Sequence, residues 1–401
     1  MTITPVRPRE TARRRVVVVQ PYVPGYRTSF FNHLQDRLNS RGVALEVLYG
    51  LVPPQQAARR DAAPCACAVQ VPSRRLPAPG GRSLLWRQVT DRAASADAVV
   101  LEQALRNLEA YPLLLRQLIR RAGGRPPRVA FWGHGRTYTK KTSQLQAAAK
   151  DALTRQAAWF FAYTEGGASH VASRGFPRDR ITVLRNSVDT TELTVTRDRA
   201  DIQGTPEHAA AAALRERHHL EAGRTALYVG GLDAPKRIPF LLQCARRIAT
   251  GLPGFKLLVA GDGVDRPLVE AVASAPDSPV VALGHRAGQD VALLGAVSDV
   301  MLMPGRVGLC AVDSFALRTP IVTTDWPWHA PEFEYLEHGR NAVVSRDDPE
   351  AYAVAVQQVL SDRSRLESLR EACREDAADY TADGMAERFC DGLLHMLGRS
   401  V

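Results

Sequence analysis

The sequence contains no apolar run near the ~18 residues that a membrane-spanning helix requires. Its first fifteen residues are polar and arginine-rich, and the apolar stretch at 16–19 is too short for a signal peptide. We therefore expect a cytoplasmic protein. Cysteine is also scarce, with six residues, and only Cys65 and Cys67 are close together. Their spacing matches no common zinc motif, so we expect reduced thiols.

Aromatic residues make up only 6% of the 401 residues, while 45% are apolar and 23% are charged. These values are ordinary for a folded protein and exclude wholesale disorder. The length exceeds that of one typical hydrophobic core and favours two domains. The first thirteen residues are expected to be a disordered tail.

Charge is unevenly distributed along the chain. Residues 1–200 carry 32 Lys and Arg against 14 Asp and Glu, whereas residues 201–401 carry 20 against 28. The basic half suits phosphates, nucleic acid or an anionic membrane surface. The alternative is that an arginine-rich composition supplies Arg where Lys would serve, because net charge concerns association rather than fold.

Alternating strand and helix patterns run through the first half. A β-branched run at 15–20 predicts a strand buried on both faces, followed by a helix at 28–40 and a strand at 43–49. Residues 51–81 lack periodicity and are interpreted as a long loop with at most one short strand. Further buried strands are predicted at 99–101, 129–132, 159–163 and 181–184, with helices at 112–122 and 144–155.

A second alternating series begins at 225, after a polar segment at 192–207 that we interpret as the interdomain linker region. We therefore predict an α/β protein with two Rossmann-like, doubly wound domains facing across a cleft. The predicted domains are 1–200 and 201–380. Residues 381–401 are expected to be a C-terminal helix that is a candidate to cross back to the first domain.

Three glycine-containing loops follow predicted strands of the second domain, at 230–237, 261–263 and 304–309. Ligands of open α/β sheets lie at the carboxyl ends of the strands, and glycines there let the backbone approach a phosphate. Lys236 and Arg237 would add charge-assisted contacts to a diphosphate. Taken singly, each glycine is more often a tight turn, and Lys236 a solvated surface lysine.

The order of these segments resembles the donor domain of family-4 retaining glycosyltransferases, which have the GT-B fold. Matching motifs are Val-Gly-Gly-Leu at 229–232 with Lys236, Gly-Asp-Gly at 261–263 and Leu-Gly-His-Arg at 283–286. The Ser-Asp-Val-Met-Leu-Met-Pro run at 298–304, the variant Glu-x7-Glu segment at 305–313 and Pro-Glu-Phe-Glu at 331–334 follow in the same order. In the first half, Phe-Trp-Gly-His-Gly at 131–135 and the segment 175–189 also resemble the family.

The sequence departs from the family pattern at three positions. Gly231 replaces an arginine, so one diphosphate contact is absent or has moved to Arg237. Gly305 replaces the first glutamate of the Glu-x7-Glu pair, as in a subset with a Pro-Gly-x-Val-Gly-Leu variant. Asp313 replaces the second glutamate and would still accept hydrogen bonds from ribose hydroxyls.

The predicted site residues follow from strand-end position and from this resemblance. His134 would bind a sugar hydroxyl or stabilise leaving-group charge, although a lone histidine is more often structural. The predicted catalytic residues are His134, Lys236 and Asp313. The predicted substrate- and donor-binding residues are Tyr26, Arg27, Gly230, Gly231, Arg237, Gly261, Arg286, Val307, Gly308 and Leu309, with the last three offering backbone N–H groups at a helix start.

The resemblance implies transfer of a hexose-type sugar from a UDP- or GDP-sugar, with retention, to a saccharide, lipid-linked or natural-product acceptor. No cofactor is expected, and no metal, because no strand-end loop carries an Asp-x-Asp motif. The basic half would allow peripheral contact with an anionic membrane. Two alternatives stay open: a catalytically silent nucleotide-sugar-binding relative, motivated by Gly231 and Gly305, and a basic nucleic-acid-binding α/β protein.

Overall fold

The computed structural model describes residues 14–52, 63, 65–78, 82–119, 127–138 and 143–398. The predicted N-terminal tail lies outside these residues. The described chain divides into two compact units. The first contains the described residues of Met1–Gly135, Ser143–Leu184 and Ala386–Val401, and the second those of Arg136–Thr142 and Arg185–Met385.

The first unit is built on a parallel sheet of seven strands in the order β3-β2-β1-β6-β7-β8-β9. The central strand β1 is a run of buried valines, as expected for a strand covered on both faces. The strands are β1 (Arg14–Gln20), β2 (Val43–Tyr49), β3 (Ala68–Gln70), β6 (Ala98–Glu102), β7 (Arg128–Gly133), β8 (Trp159–Ala162) and β9 (Ile181–Val183).

Helices cover this sheet and connect its strands. In α1, Phe30, Phe31, Leu34 and Leu38 form the buried face, at the spacing that the sequence predicts for an amphipathic helix. The helices are α1 (Thr28–Ser40), α2 (Thr90–Ala94), α3 (Ala110–Ile119), α4 (Gln144–Arg155) and α5 (Glu165–Ser173).

A two-stranded antiparallel hairpin is an addition to the parallel sheet. Its strands are β4 (Ser73–Ala78) and β5 (Arg82–Arg87), paired from Ser73–Arg87 to Ala78–Arg82. The sequence predicted a loop with at most one short strand at 51–81, and this was wrong for 68–78. Residues 53–62, 64 and 79–81 of that segment lie outside the described residues. The hairpin was missed because β4 contains two arginines and a proline and has no buried side chain.

The second unit is built on a parallel sheet of six strands in the order β12-β11-β10-β13-β14-β15. In this order the connection reverses direction between β10 and β13, which is where doubly wound sheets bind their ligands. The strands are β10 (Thr225–Val229), β11 (Lys256–Ala260), β12 (Val280–Gly284), β13 (Val300–Leu302), β14 (Ile321–Thr324) and β15 (Ala342–Ser345).

The helices of this unit include two that precede its first strand. Helix α6 packs against α7, α10 and α11, so the segment that was interpreted as a linker is part of the second unit. The helices are α6 (Thr191–Ala200), α7 (Pro206–His218), α8 (Ile238–Gly251), α9 (Arg266–Ala273), α10 (Gln289–Ala296), α11 (Cys310–Leu317), α12 (Pro349–Ser361) and α13 (Arg363–Asp379).

The last helix, α14 (Ala382–Met396), has its C-terminal part in the first unit. There Phe389 stacks on Phe161 with ring centroids 4.2 Å apart, and Gly392 lies against Thr182. The Arg14 guanidinium donates to the carbonyl of Leu397 at 2.6 Å. The end of the chain is therefore fixed to β1, β8 and β9 by both packing and hydrogen bonds.

All six cysteines are free thiols, and five of them are buried. Within the described part of the chain, no helix combines the length and the apolar composition needed to cross a bilayer.

Candidate active site

Three loops lie side by side at the carboxyl ends of the adjacent strands β11, β10 and β13. The loop after β10 is hydrogen-bonded to the loop after β11, because Gly230 N donates to Ala260 O at 3.1 Å and Leu232 N donates to Asp262 O at 2.9 Å. A Cβ at Gly261 would lie 2.0 Å from the Gly230 carbonyl oxygen. Glycine at 261 is therefore required for this backbone contact.

The loop after β10 also contacts the loop after β13. Arg306 N donates to Pro235 O at 2.9 Å, and in return the Lys236 ammonium donates to Arg306 O at 2.7 Å. A Cβ at Gly305 would lie 2.5 Å from the Lys236 carbonyl carbon. The backbone of Lys236 thus occupies the space that any side chain at 305 would need.

Lys236 is half-buried rather than a solvated surface lysine. Its charge acts on Asp313, which lies in the first turn of α11. Burial raises the pKa of Asp313 to about 6, and the positive charge of Lys236 partly opposes this shift. A lysine and a carboxylate that influence each other through their charges therefore lie at the switch point of the sheet, where an anionic ligand with hydroxyl groups would find both a cation and an acceptor.

Backbone N–H groups lie at the start of α11, but one of the three predicted donors is already used. Val307 N donates to Nδ1 of His329 at 3.1 Å, so this amide is engaged within the protein, and its role as a donor to a ligand stays a prediction. The amides of Gly308 and Leu309 donate to no oxygen within the described residues. These two groups, at the positive end of the helix, suit a phosphate oxygen.

His329 is a site residue that the sequence analysis missed. Its ring is buried, stacks on Phe333 at 4.2 Å, and places Nε2 2.8 Å from Thr324 O. Since Nδ1 accepts from Val307, the proton is on Nε2, which donates to Thr324. Burial lowers the pKa of His329, which favours this neutral form. Its position directly after β14 is the signal that could have identified it.

Glu332 was part of a matched motif but was not singled out. It is 4% exposed, and its carboxylate accepts a hydrogen bond from the Asn186 side-chain amide. Its second oxygen lies 3.9 Å from where a Cβ of Gly308 would be. A buried acid therefore stands close to the N-terminus of α11.

Arg237 is positioned by several groups of its own unit. Its guanidinium pairs with Asp347, donates to Pro304 O at 3.2 Å, and lies over the rings of Phe240 and Trp326. Its backbone has a left-handed φ of 56°, a conformation uncommon for a side chain of this size. These contacts tie the β10 loop to the loops after β13 and β15.

The remaining predicted donor residues are more exposed. Gly231 is exposed, and its nearest neighbour to an added Cβ is a carboxylate oxygen of Asp233 at 3.5 Å, so a side chain fits there. Arg286 is exposed and lies 4.0 Å from Asp290. Close to it, a cavity of about 200 Å³ opens at the ends of β11 and β12, lined among others by Gly261 and Gly284.

In the first unit, Arg27 is buried at 6% exposure after β1. Four aromatic rings surround its guanidinium, with centroids between 5.1 and 6.0 Å away: Tyr26, Trp132, Tyr163 and Phe30. Such contacts stabilise a cation in a partly desolvated position. Arg27 is therefore not a surface charge, while Tyr26 keeps 43% of its surface exposed.

His134 lies at the end of β7 close to Arg27. The residue is exposed to solvent, but its ring packs against the ring of Tyr163, with the two ring centroids 4.4 Å apart. Partial desolvation, followed by the charges of Lys150 and Arg27, lowers the pKa of His134 to about 4. The imidazole is thus neutral near pH 7. Lys150 was not predicted, because nothing in the polar pattern of α4 distinguishes it from a surface lysine.

The structure therefore groups the predicted residues by unit. Gly230, Lys236, Gly261, Gly308 and Asp313 belong to one set of loops in the second unit. Tyr26, Arg27 and His134 form a basic and aromatic cluster in the first. Within the described residues, no group of three or more His, Cys, Asp or Glu side chains is placed to hold a metal ion.

Comparison with known proteins agrees with this geometry. Residues 223–362, which contain the loops after β10, β11 and β13, match the family described as glycosyl transferases group 1. The α-D-kanosaminyltransferase of Streptomyces kanamyceticus is 26% identical over 178 residues, which cover 43% of this chain and 44% of that protein. The chain thus aligns with less than half the length of the curated relatives it matches.

Solved structures match over nearly the whole chain. Anabaena HepE in complex with UDP has a TM-score of 0.65 at 14% identity, covering 95% of this chain and 100% of HepE. The fold is GT-B. A glycosyltransferase from Rickettsia africae gives a TM-score of 0.66 at 13% identity, covering 97% and 100% of the two chains. At such identities the structural similarity establishes the GT-B architecture of two parallel-sheet α/β domains. The reaction is inferred from the residues of the site.

Asp313 gives the site a test that is independent of activity. Its pKa is raised in the folded state, so the folded protein loses stability as pH rises from about 4 to about 6, and the loss is complete above that range. Asparagine does not ionise. We expect Asp313→Asn to stabilise the protein by about 1–3 kcal/mol at pH 7.5 and to change its stability little at about pH 3.5, below both pKa values. Denaturant unfolding at both pH values measures this, and equal stability at pH 7.5 would contradict it.

Proposed function

We propose that the protein is a retaining glycosyltransferase that moves a hexose-type sugar from a UDP- or GDP-sugar to a saccharide, lipid-linked or natural-product acceptor. The observation that carries the proposal is the meeting of Lys236, Asp313 and the N-terminus of α11 at the switch point of the second sheet. The match of residues 223–362 to glycosyl transferases group 1 supports the same reaction class. The UDP bound by HepE supports a nucleotide donor.

The proposed chemistry depends on stabilising a leaving diphosphate. Lys236 and the amides of Gly308 and Leu309 would neutralise the charge that develops on the phosphate oxygens as the glycosidic bond breaks. Asp313 would accept hydrogen bonds from the ribose hydroxyls. Retention would follow from departure and attack on the same face, with the leaving diphosphate taking the acceptor proton. No metal is required in this scheme.

Gly305 bears on the alternative of a catalytically silent relative. The Lys236 backbone fills the position where a glutamate stem at 305 would begin. Glycine at this position is therefore matched to its surroundings and gives no indication of a decayed site. The close approach of the Lys236 backbone to Gly305 also fixes the position of Lys236.

Binding and turnover with a set of donors test the proposal. A thermal-shift series with UDP, GDP, ADP and TDP should show stabilisation by at least one of them, because a ligand that binds only the folded state raises its stability. Hydrolysis of the matching sugar nucleotide, with and without EDTA, then measures turnover and its independence of metal. NMR of the released or transferred sugar identifies the anomer. The proposal would be refuted if the protein showed no binding and no turnover with any donor in the set.

His134 is proposed to hydrogen-bond a hydroxyl of the reacting sugar as a neutral imidazole. We expect His134→Ala to lower kcat by about 10²-fold, a typical contribution for a positioned proton donor or acceptor. Because its pKa is about 4, the dependence of kcat on pH between 6 and 8 should not change its midpoint in this variant. His170→Ala, on α5 of the same unit, serves as the matched control. A kcat for His134→Ala equal to that of the control would exclude the role.

A further inference from the structure

A second cavity lies in the first unit, outside the residues assigned above. It has a volume of about 210 Å³ and opens where β1 and β2 end, against the β4–β5 hairpin. Its lining includes Arg75, Arg87, Arg106, Ser73 and Ser83, and none of the described residues that line it is acidic. Three guanidinium groups and two hydroxyls in one small cavity are donors that suit an oxyanion.

Arg87 is the buried member of this set, at 2% exposure. Its Nε donates to Glu109 Oε1 at 2.7 Å, and its Nη2 donates to the same oxygen. Its Nη1 and the Oε2 of Glu109 both lack a hydrogen-bond partner in the described part of the chain, and both atoms have almost no accessible surface. Arg87 thus contributes to the cavity wall a guanidinium whose hydrogen-bonding capacity is not fully used by the protein.

The balance of charge around the cavity is positive. Glu109, fully buried behind Arg87, neutralises that guanidinium. Arg106 lies 3.3 Å from Glu102, and both side chains are partly exposed, so this pair is weak. Arg75 is exposed and forms no ion pair with any described residue. Arg75 therefore contributes the uncompensated charge at the mouth of the cavity.

The size of the cavity limits what it holds. Sites for ligands of drug size occupy about 300–1,000 Å³, so this cavity accepts one functional group and not a whole sugar nucleotide. Gly50 lies at its wall, where an added Cβ would be 3.3 Å from the Ser73 hydroxyl and 3.4 Å from Arg87 Cδ. The absence of a side chain at 50 thus keeps Ser73 and Arg87 accessible to a small anion.

We propose that this cavity binds a phosphate group of the acceptor substrate. The acceptor role rests on the proposed function, in which the loops of the second unit bind the donor and the first unit is left for the acceptor. The phosphate chemistry itself rests only on the arginines and hydroxyls of the cavity. The acceptor is then a phosphorylated molecule, either a soluble sugar phosphate or a phosphate-containing lipid.

Titration with inorganic phosphate tests the site. The experiment uses the full chain carrying Lys236→Ala, so that phosphate binding at the loops of the second unit around Lys236 is suppressed. We expect Arg75→Gln in this background to weaken phosphate binding about tenfold, as the loss of one charge-assisted contact predicts. Arg74→Gln is the matched control, since Arg74 is the neighbouring exposed residue on β4 and does not line the cavity. Equal phosphate affinity in Arg75→Gln and Arg74→Gln would overturn the proposal.

Two further measurements identify the source of the phosphate. Glucose 1-phosphate competing with inorganic phosphate, with loss of competition in Arg75→Gln, indicates a soluble acceptor. Co-sedimentation with phosphatidylglycerol vesicles that Arg75→Gln reduces and Arg74→Gln does not indicates a lipid. Binding of UDP, GDP, ADP and TDP to the unmodified chain, and turnover of the matching sugar nucleotides, are measured separately. Failure with all of them would refute the proposed glycosyltransferase and leave the phosphate site standing, whereas failure of the Arg75 test refutes only the site.

Discussion

Replacing Lys236 with alanine is expected to lower kcat by about 10²- to 10³-fold, the usual cost of removing one donor that stabilises developing negative charge. The ammonium lies at the switch point of the sheet, donates to Arg306 O and opposes the raised pKa of Asp313. Its loss removes the hydrogen bond between the loops after β10 and β13 and, under the proposed function, a cation that stabilises the leaving diphosphate. Steady-state kinetics with the donor found by thermal shift measures the effect.

Lys256→Ala is the control for this variant. Lys256 is the first residue of β11, at the opposite end of the sheet, where its ammonium donates to Ser278 O at 3.1 Å. The substitution removes one positive charge from the same unit and leaves the loops after β10, β11 and β13 unchanged. Should Lys236→Ala and Lys256→Ala have equal kcat, the assignment of Lys236 to the leaving group would be wrong.

Gly305→Ala is expected to destabilise the second unit by about 1–3 kcal/mol, the range found when a methyl group is forced into a filled space. The new Cβ would lie 2.5 Å from the Lys236 carbonyl carbon, which is backbone and has little freedom to move. Because relief of the clash displaces Lys236, donor affinity and kcat should fall as well. Denaturant unfolding and donor titration measure the two effects.

Gly308→Ala provides the comparison within the same loop. An added Cβ there meets the Cβ of Ala330 at 3.6 Å and a carboxylate oxygen of Glu332 at 3.9 Å, both ordinary contacts. Its stability should therefore stay within about 0.5 kcal/mol of the parent. If Gly305→Ala were as stable as Gly308→Ala, the loops after β10 and β13 would not pack against each other as described.

The strands of the second unit and the loops that follow β10, β11 and β13 were largely predictable from the sequence. Buried parallel strands are continuous apolar runs, and their carboxyl ends must share one edge of the sheet. Those two rules place Lys236, Gly261 and Gly308 together before any contact is known. The hairpin was not predictable in the same way, because β4 carries exposed arginines and a proline and has no apolar alternation.

The partners of the site residues were the other part that sequence could not supply. That the amide of Val307 is engaged by His329, and Arg237 by Asp347, depends on side chains from the loops after β14 and β15, at other positions in the chain. Lys150 acts on His134 only because α4 brings it near the end of β7. Motif order predicts which loops meet, whereas the use of each donor depends on contacts between loops.

The glycine contacts between the loops after β10, β11 and β13 have a consequence for how this protein can change. A side chain at 261 or 305 would strike backbone, so these loops tolerate little substitution and would shift together. The turn after β12 is less crowded, since nothing lies within 4 Å of an added Cβ at Gly284 and Arg286 is exposed, although the left-handed φ of 69° at Gly284 favours glycine. We expect variation among natural and laboratory descendants to accumulate at exposed positions of this turn such as 286, while the loops after β10, β11 and β13 are inherited unaltered.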